Sequence, residues 1–248
     1  MAAQEFDFRF ADCHCHILPG VDDGSPDLET SLKMAHLAQE NNTDTIIVTP
    51  HYTAAHRTAS PDGIRRRVHE LQSACDAEGL LIRFYPGNEL FYDSTLPDVL
   101  QRGGALTLAE SSCCLVEFHP TDSFQYIYDG LRALCYAGFT PILAHCERYL
   151  TLVKNPELSG DLVDLGVKLQ CNAASVETKL FNPVPKYVNW LLKREMVSLI
   201  ATDAHRASGE RAPNLMKAAS FIKRRYDPAY VEALLHGNAS KLLNDGKL

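Results

Sequence analysis

Seven short apolar runs recur along this chain, separated by amphipathic or turn-rich stretches, and six of the seven end on a histidine or a carboxylate. Runs this short and this rich in Val, Ile and Leu read as buried strands rather than helices. Alternation with helical patterns is the signature of repeated β-α units around a parallel sheet. The first run ends in Cys13-His14-Cys15-His16. The second, residues 45–50, ends on His51, and the third, 81–85, runs into Pro86-Gly87-Asn88-Glu89. The fourth, 113–118, carries Glu117 where a buried strand should be apolar, which costs free energy unless a partner offsets it. The fifth, 141–144, ends in His145-Cys146-Glu147-Arg148; the sixth, 167–171, ends at Asn172; the seventh, 197–202, ends in Asp203-Ala204-His205-Arg206. Helices are expected from Ser25-Pro26-Asp27, with a hydroxyl cap and proline at the first helical position, to about residue 41, and over 62–77, 96–102, 214–225 and 228–244. Both an open doubly wound sheet and a closed barrel place functional groups at the carboxyl ends of strands. A barrel gathers those ends into one ring, so a shared site favours it. With no repeat, low-complexity tract or dividing linker, the 248 residues read as one domain, 1–248.

The loaded strand ends point to metal chemistry. Successive strand residues face opposite ways, so His14 and His16 share one face, and Cys13 and Cys15 share the other, in the layer between strand and helices. Histidine nitrogens mixed with carboxylate oxygens suit zinc, manganese or iron; magnesium and calcium prefer oxygen alone. His14, His16, Asp23, His51, Glu89, Glu117, His145, Asp203 and His205 are too many donors for one ion and suffice for two or three, with a carboxylate bridging. Closely spaced divalent ions suit hydrolysis at phosphorus. Taken singly, a strand-end histidine is more often a hydrogen-bonded loop residue, and Asp203 or Glu117 alone could cap a helix or pair with an arginine. The joint arrangement carries the argument. His36, His56, His69 and His236 fall in predicted helices or loops and are read without a metal role.

Arginines add a substrate class, because a planar guanidinium matches a phosphoryl group bidentately. Arg148 lies in the fifth loop, and Arg206 and Arg211 follow the seventh strand. None of the eight cysteines has an arginine six positions on, the spacing of the cysteine-based tyrosine phosphatases, so Cys146 beside Arg148 is not read as a nucleophile. A net charge of −7 excludes a general affinity for nucleic acid or anionic membranes. No apolar run is long enough to span a bilayer, the first residues lack the pattern of a signal peptide, and the cysteines read as reduced thiols, all pointing to the cytoplasm without direct membrane insertion.

Taken in order, His14-Cys15-His16, Asp22-Asp23-Gly24, Thr49-Pro50-His51, Gly87-Asn88-Glu89, His145-Cys146-Glu147-Arg148 and Asp203-Ala204-His205 resemble the PHP (polymerase and histidinol phosphatase) superfamily. Within it the chain is similar to the bacterial metal-dependent protein-tyrosine phosphatases of capsule and exopolysaccharide clusters, over about residues 12–244. The resemblance implies a distorted (β/α)7 TIM-like barrel with a trinuclear site, manganese first, iron or zinc as the other ions. It puts His14, His16, Glu89 and Asp203 on the first ion, with Glu89 bridging to a second completed by Glu117 and His145. Asp23, His51 and His205 would hold the third. It implies a phosphomonoesterase acting on a phosphotyrosine protein, the tail of a tyrosine autokinase of polysaccharide export, by attack of a metal-bridging hydroxide. Asp203, Arg148 and a second arginine form its catalytic set; Arg211 is favoured for the latter, with Arg206 left open because the spacing departs by about one residue. His119, on the same strand face as Glu117, is either a partner behind the ligands or an alternative ligand. The alternatives are a small-metabolite phosphatase such as histidinol phosphatase, or a non-catalytic domain that binds a phosphorylated partner. Oligomeric state is left open.

Overall fold

The computed structural model describes residues 6–54, 59–177, 182–246 and 248; His56 and the first five residues, read above, lie outside them. Its elements run β1 (Phe10–Cys15), α1 (Leu28–Glu40), β2 (Thr43–Val48), β3 (His51–Tyr52), α2 (Pro61–Ala77), β4 (Arg83–Tyr85), β5 (Glu89–Phe91), α3 (Leu96–Gln101), β6 (Cys113–Glu117), α4 (Phe124–Tyr136), β7 (Thr140–Leu143), α5 (Leu150–Lys154), α6 (Leu158–Asp164), β8 (Lys168–Asn172), α7 (Pro183–Leu192), β9 (Val197–Ala201), α8 (Met216–Lys223), α9 (Pro228–Glu232) and α10 (Asn238–Asp245). Every strand pair is parallel, in two sheets ordered β1-β2-β4 and β3-β5-β6-β7-β8-β9. The expected mixed α/β fold with parallel strands is therefore present, and all seven expected strands appear.

The second and third are each broken in two. Pro50 and Pro86 lack the N–H that a continuous ladder needs. The buried Asn88 bridges the gap, donating from Nδ2 to the Pro50 carbonyl at 2.8 Å and accepting from the Leu106 N–H at 3.0 Å. The breaks let the chain restart as β3 and β5 with His51 and Glu89 at their first positions, opposite each other in register. The first and last strands meet at a seam. Cys15 bridges Ala204, the Asp203 N–H donates to the His14 carbonyl at 2.8 Å and the His16 N–H to the Ala204 carbonyl at 2.9 Å. Buried Asp12 completes the seam by accepting from the Thr202 N–H at 3.0 Å and from its hydroxyl.

Two expectations are corrected. Asp27 caps α1, accepting from the Thr30 N–H at 2.8 Å. Ser25 instead donates to the Asp27 carbonyl and accepts from the Ser31 hydroxyl. The cysteines of the opening motif do not share a layer either. A register shift between Asp12 and Cys15 inserts an extra residue into β1. Cys13 consequently packs with Ile47, Leu115, Ile142, Ala144 and Leu199 from the other strands. Cys15 packs with Met34, Ala35 and Ile64 of the helical layer. The Cys13 cluster also takes Ala239 and Leu242 from α10, which puts a dry apolar layer between that helix and the strands.

Candidate metal centre

The predicted donors reach the same region from six of the seven strand runs. His14 on β1 and His16 just past its end are both buried, and their Nε2 atoms stand 3.2 Å apart. Glu89 lies between them: Oε1 is 3.2 Å from His14 Nε2 and Oε2 is 3.2 Å from His16 Nε2. Asp203 Oδ1 is 3.5 Å and 3.6 Å from the same two nitrogens. His145 Nε2 contacts Glu89 Oε1 at 2.8 Å and Glu117 Oε2 at 3.5 Å. His51 Nδ1 faces Glu89 Oε2 at 3.1 Å and Glu117 Oε1 at 3.2 Å, while its Nε2 is 3.4 Å from Asp23 Oδ1. Asp23 Oδ1 is also 3.3 Å from His205 Nε2. All nine predicted residues thus converge. Three overlapping sets have donor atoms within 4.8 Å of one another: His14, His16, Glu89 and Asp203; His16, Asp23, His51 and His205; and His51, Glu89 and Glu117.

Backbone geometry aims two of them. His145 and Asp203 have φ of +33° and +52°, in the left-handed region that non-glycine residues rarely enter. At both points the chain leaves its strand, and the turn sends the side chain into the ring instead of continuing the alternation. Such conformations cost on the order of 1 kcal/mol each and persist where surroundings over-determine them. Here the His145 N–H donates to Gln170 Oε1 at 2.8 Å, and the Asp203 N–H is held by the seam.

Charge and protonation fit divalent ions. Burial would lower the His14 pKa, but the Glu89 and Asp203 carboxylates outweigh it and raise it to about 9. Burial is likewise outweighed at His51, where Glu117 and Glu89 raise the value to about 11. Glu89 is held well below the usual carboxylate range, burial being overcome by His14, His145 and His16. The ring is a place that draws positive charge. Yet three of its imidazoles have already committed Nδ1: His14 to Gln170 Oε1 at 3.1 Å, His16 to Asp22 Oδ2 at 2.7 Å, His205 to the Asp203 carbonyl at 2.9 Å. With the proton on Nδ1, the Nε2 of each neutral imidazole presents a lone pair. Two lone pairs facing each other at 3.2 Å form no hydrogen bond; ligand nitrogens about 2.0–2.1 Å from one ion stand roughly 3 Å apart. Buried Glu89 Oε2, despite imidazole nitrogens at 3.1 and 3.2 Å, makes no well-formed hydrogen bond, and neither does His145 Nδ1. The residues present therefore fit metal ions.

The arginines separate. Arg148, in the helical turn Cys146–Arg148, pairs through Nη2 with Asp203 Oδ2. Arg211 Nη2 lies 3.3 Å from Asp203 Oδ1 and 2.8 Å from His205 Nε2. Arg206 instead donates Nη1 to the carbonyls of Asp23, Gly24 and His205 at 2.6, 3.0 and 2.7 Å, clamping the loop after β1. His119 is exposed, bonded to Thr121 Oγ1 at 2.7 Å, and outside the ring. Cys146 is wholly buried with its sulfur 3.5 Å from that of Cys171. His36 pairs with Glu78 on the surface. Four polar residues with covered side chains beside the ring escaped the sequence reading: Asp12, Asp22, Gln170 and Asn172. Asp22 sat beside an assigned aspartate, and Gln170 and Asn172 are polar residues two apart in an apolar strand, a signal that was available.

Residues 10–244 match the family model described as capsular polysaccharide synthesis, CpsB/CapC. The tyrosine-protein phosphatase CpsB of Streptococcus pneumoniae is 27% identical over 241 residues, covering 94% of this chain and 98% of its own length. The tyrosine-protein phosphatase YwqE of Bacillus subtilis is 29% identical over 198 residues, covering 78% of this chain and 76% of its own. A crystal structure from work on YwqE and S. pneumoniae CpsB, described as unique metal-dependent tyrosine phosphatases, superposes with a TM-score of 0.87 at 25% identity, covering 96% of this chain and 95% of that one.

Proposed function

The chain belongs to the CpsB/CapC family of capsular polysaccharide synthesis proteins, and from that premise we propose that it is a metal-dependent phosphatase that hydrolyses phosphotyrosine on a protein. The observation that carries the proposal is the ring itself, nine nitrogen and oxygen donors at one mouth with two arginines on its rim. His14, His16, Glu89 and Asp203 would hold one ion, Glu117 and His145 a second with Glu89 shared, and Asp23, His51 and His205 a third. Manganese suits this donor set, as iron and zinc do. Bound ions supply an activated water and neutralise charge on phosphorus-bound oxygens.

The chain's own residues do the rest. Arg148 and Arg211 reach Asp203 from two sides, so their remaining donors can take the phosphoryl oxygens opposite the ring. Asp203 holds both guanidinium groups in place before substrate arrives, which limits the reorganisation needed at the transition state. Phenolate is a fairly good leaving group, so no side chain need be assigned as general acid. A protein substrate suits a ring that opens on loops, and the tyrosine-rich tail of an autokinase of polysaccharide export is the proposed partner. The proposal takes residues 1–248 as one phosphatase domain working in the cytoplasm; among the described residues no helix is long and apolar enough to cross a membrane.

The test compares turnover of a phosphotyrosine peptide, histidinol phosphate and p-nitrophenyl phosphate by protein loaded with Mn2+, alongside elemental analysis. Preference for the peptide and loss of all turnover on chelation are expected. Faster hydrolysis of histidinol phosphate overturns the substrate assignment; no hydrolysis of p-nitrophenyl phosphate by metal-loaded protein makes the domain a binder of phosphorylated partners.

A further inference from the structure

Six strand ends deliver the ring's donors; β8 delivers none, yet its side chains Gln170 and Asn172 are buried directly behind the ring. We propose that these two amides are positioning residues that lock the tautomer of His14 and the orientation of Asp203 as one hydrogen-bonded unit.

The polarity of the chain of bonds is fixed end to end. His14 Nδ1 and the His145 backbone N–H both meet Gln170 Oε1, at 3.1 and 2.8 Å. A backbone N–H can only donate, so the atom facing it must be the amide oxygen, and His14 must carry its proton on Nδ1. Gln170 Nε2 then donates to Asn172 Oδ1 at 2.9 Å, and Asn172 Nδ2 donates to Asp203 Oδ2 at 3.0 Å. Neither amide can flip without setting donor against donor. The backbone of Asn172 is pinned too, its N–H donating to Glu147 Oε1 at 3.0 Å.

Two consequences reach the site. In its neutral form His14 then presents its lone pair at Nε2, on the side of Glu89 and Asp203 where an ion would sit. Asp203 Oδ2 is occupied by Asn172 and Arg148, so Oδ1 alone faces the His14 and His16 nitrogens. The relay therefore couples a residue of the metal ring to the arginine on its rim. Amides are the side chains that serve, because each position must accept on one side and donate on the other inside a dry core, and a carboxylate cannot donate. A ligating histidine is ordinarily held by such a partner, whose loss weakens metal affinity about 10–100-fold.

This inference rests on the ring holding metal, and the test separates the two. Mn2+ affinity is measured by electron paramagnetic resonance on the full chain, together with kcat and KM for p-nitrophenyl phosphate and Tm, for wild type, Gln170→Leu, Gln170→Glu and Asn172→Ala. If wild type binds no Mn2+, the reading of the ring fails. If it binds, Gln170→Leu is expected to weaken one Mn2+ site roughly 10–100-fold. Gln170→Glu, which still accepts from His14 but cannot donate to Asn172, is expected to restore that affinity while keeping a raised KM. Asn172→Ala should raise KM through Arg148 with a smaller effect on Mn2+. Equal losses of Mn2+ affinity in both Gln170 variants, or losses that track Tm alone, overturn the relay. If Gln170→Leu does not fold, the separation of KM from metal affinity in Gln170→Glu and Asn172→Ala decides.

Discussion

Gly24→Ala is the sharpest test of how the loop after β1 is fitted to the ring. Gly24 has no positive φ, so alanine can adopt its backbone; the demand is for space alone. A Cβ there would stand 2.1 Å from the His16 carbonyl oxygen, 2.5 Å from His16 Cβ and 2.9 Å from Asp22 Oδ1, where real contacts stay beyond 3.0 Å. The two segments must part by about 1 Å, since the two nearest obstacles are the backbone oxygen and Cβ of buried His16 rather than a flexible side-chain end. That movement breaks the 3.0 Å bond from the Ser25 N–H to the His16 carbonyl and the 2.9 Å bond from the Gly24 N–H to Asp22 Oδ1. Forced overpacking costs about 1–3 kcal/mol, and the lost bonds add about 1 kcal/mol. The sum, roughly 2–4 kcal/mol, lowers Tm by about 5–15 °C for a chain of this size. Asp23 moves with the loop, away from His51 and His205. Misplacement of about 1 Å can reduce turnover on the order of 100-fold. Thermal unfolding, metal content per chain and kcat/KM for p-nitrophenyl phosphate read the three effects. A variant with wild-type Tm, full metal content and kcat/KM within about twofold would refute the steric argument.

Arg211→Ala should lower kcat/KM for phosphate esters roughly 10–100-fold with little change in Tm, as expected for loss of a charge-assisted contact. Arg206→Ala should lower Tm more than it raises KM, because its three acceptors are backbone carbonyls of the loops. Steady-state kinetics and calorimetry on both variants check the contrast. Replacing Cys146 by serine should leave turnover within a few-fold of wild type, whereas chelation abolishes it; a cysteine-dependent loss larger than the chelator effect would contradict a metal mechanism. In the chelated protein, His14 has its pKa raised to about 9 from an ordinary 6.5, so its contribution to stability is complete below pH 6.5 and is lost as pH rises through 9. Tm of the metal-free protein should fall across that window, and saturating Mn2+ should remove the fall. Asp22, lowered to about 2 because His16 overcomes its burial, contributes in the opposite sense: its share is present above pH 3.8 and fades as pH falls through 2.

Much of this protein was legible in its sequence. Donor identity is a local property: an imidazole or carboxylate at the end of an apolar run is visible without the fold. Parallel topology then guarantees that the ends lie on one side, so nine candidate donors are legible in the sequence itself. What sequence could not set was where small departures from regularity fall. The extra residue in β1 separates Cys13 from Cys15, and its position depends on pairing with β2, more than thirty residues away. The strand breaks at Pro50 and Pro86 are marked by proline, but the bridging role of Asn88 needs Pro50 and Leu106 brought together. That Arg206 binds backbone carbonyls while Arg211 reaches Asp203 and His205 depends on the fold, and residue spacing carries no information about that. The amides of β8 were visible as polar residues in an apolar strand, yet what they hold became evident only when His14, His145 and Asp203 surrounded them. Sequence determined which chemical groups arrive at the ring, because periodicity is local. Tertiary structure decided which of them face one another across the ring and which side chains hold them still, because hydrogen-bond direction is fixed by neighbours distant in the chain.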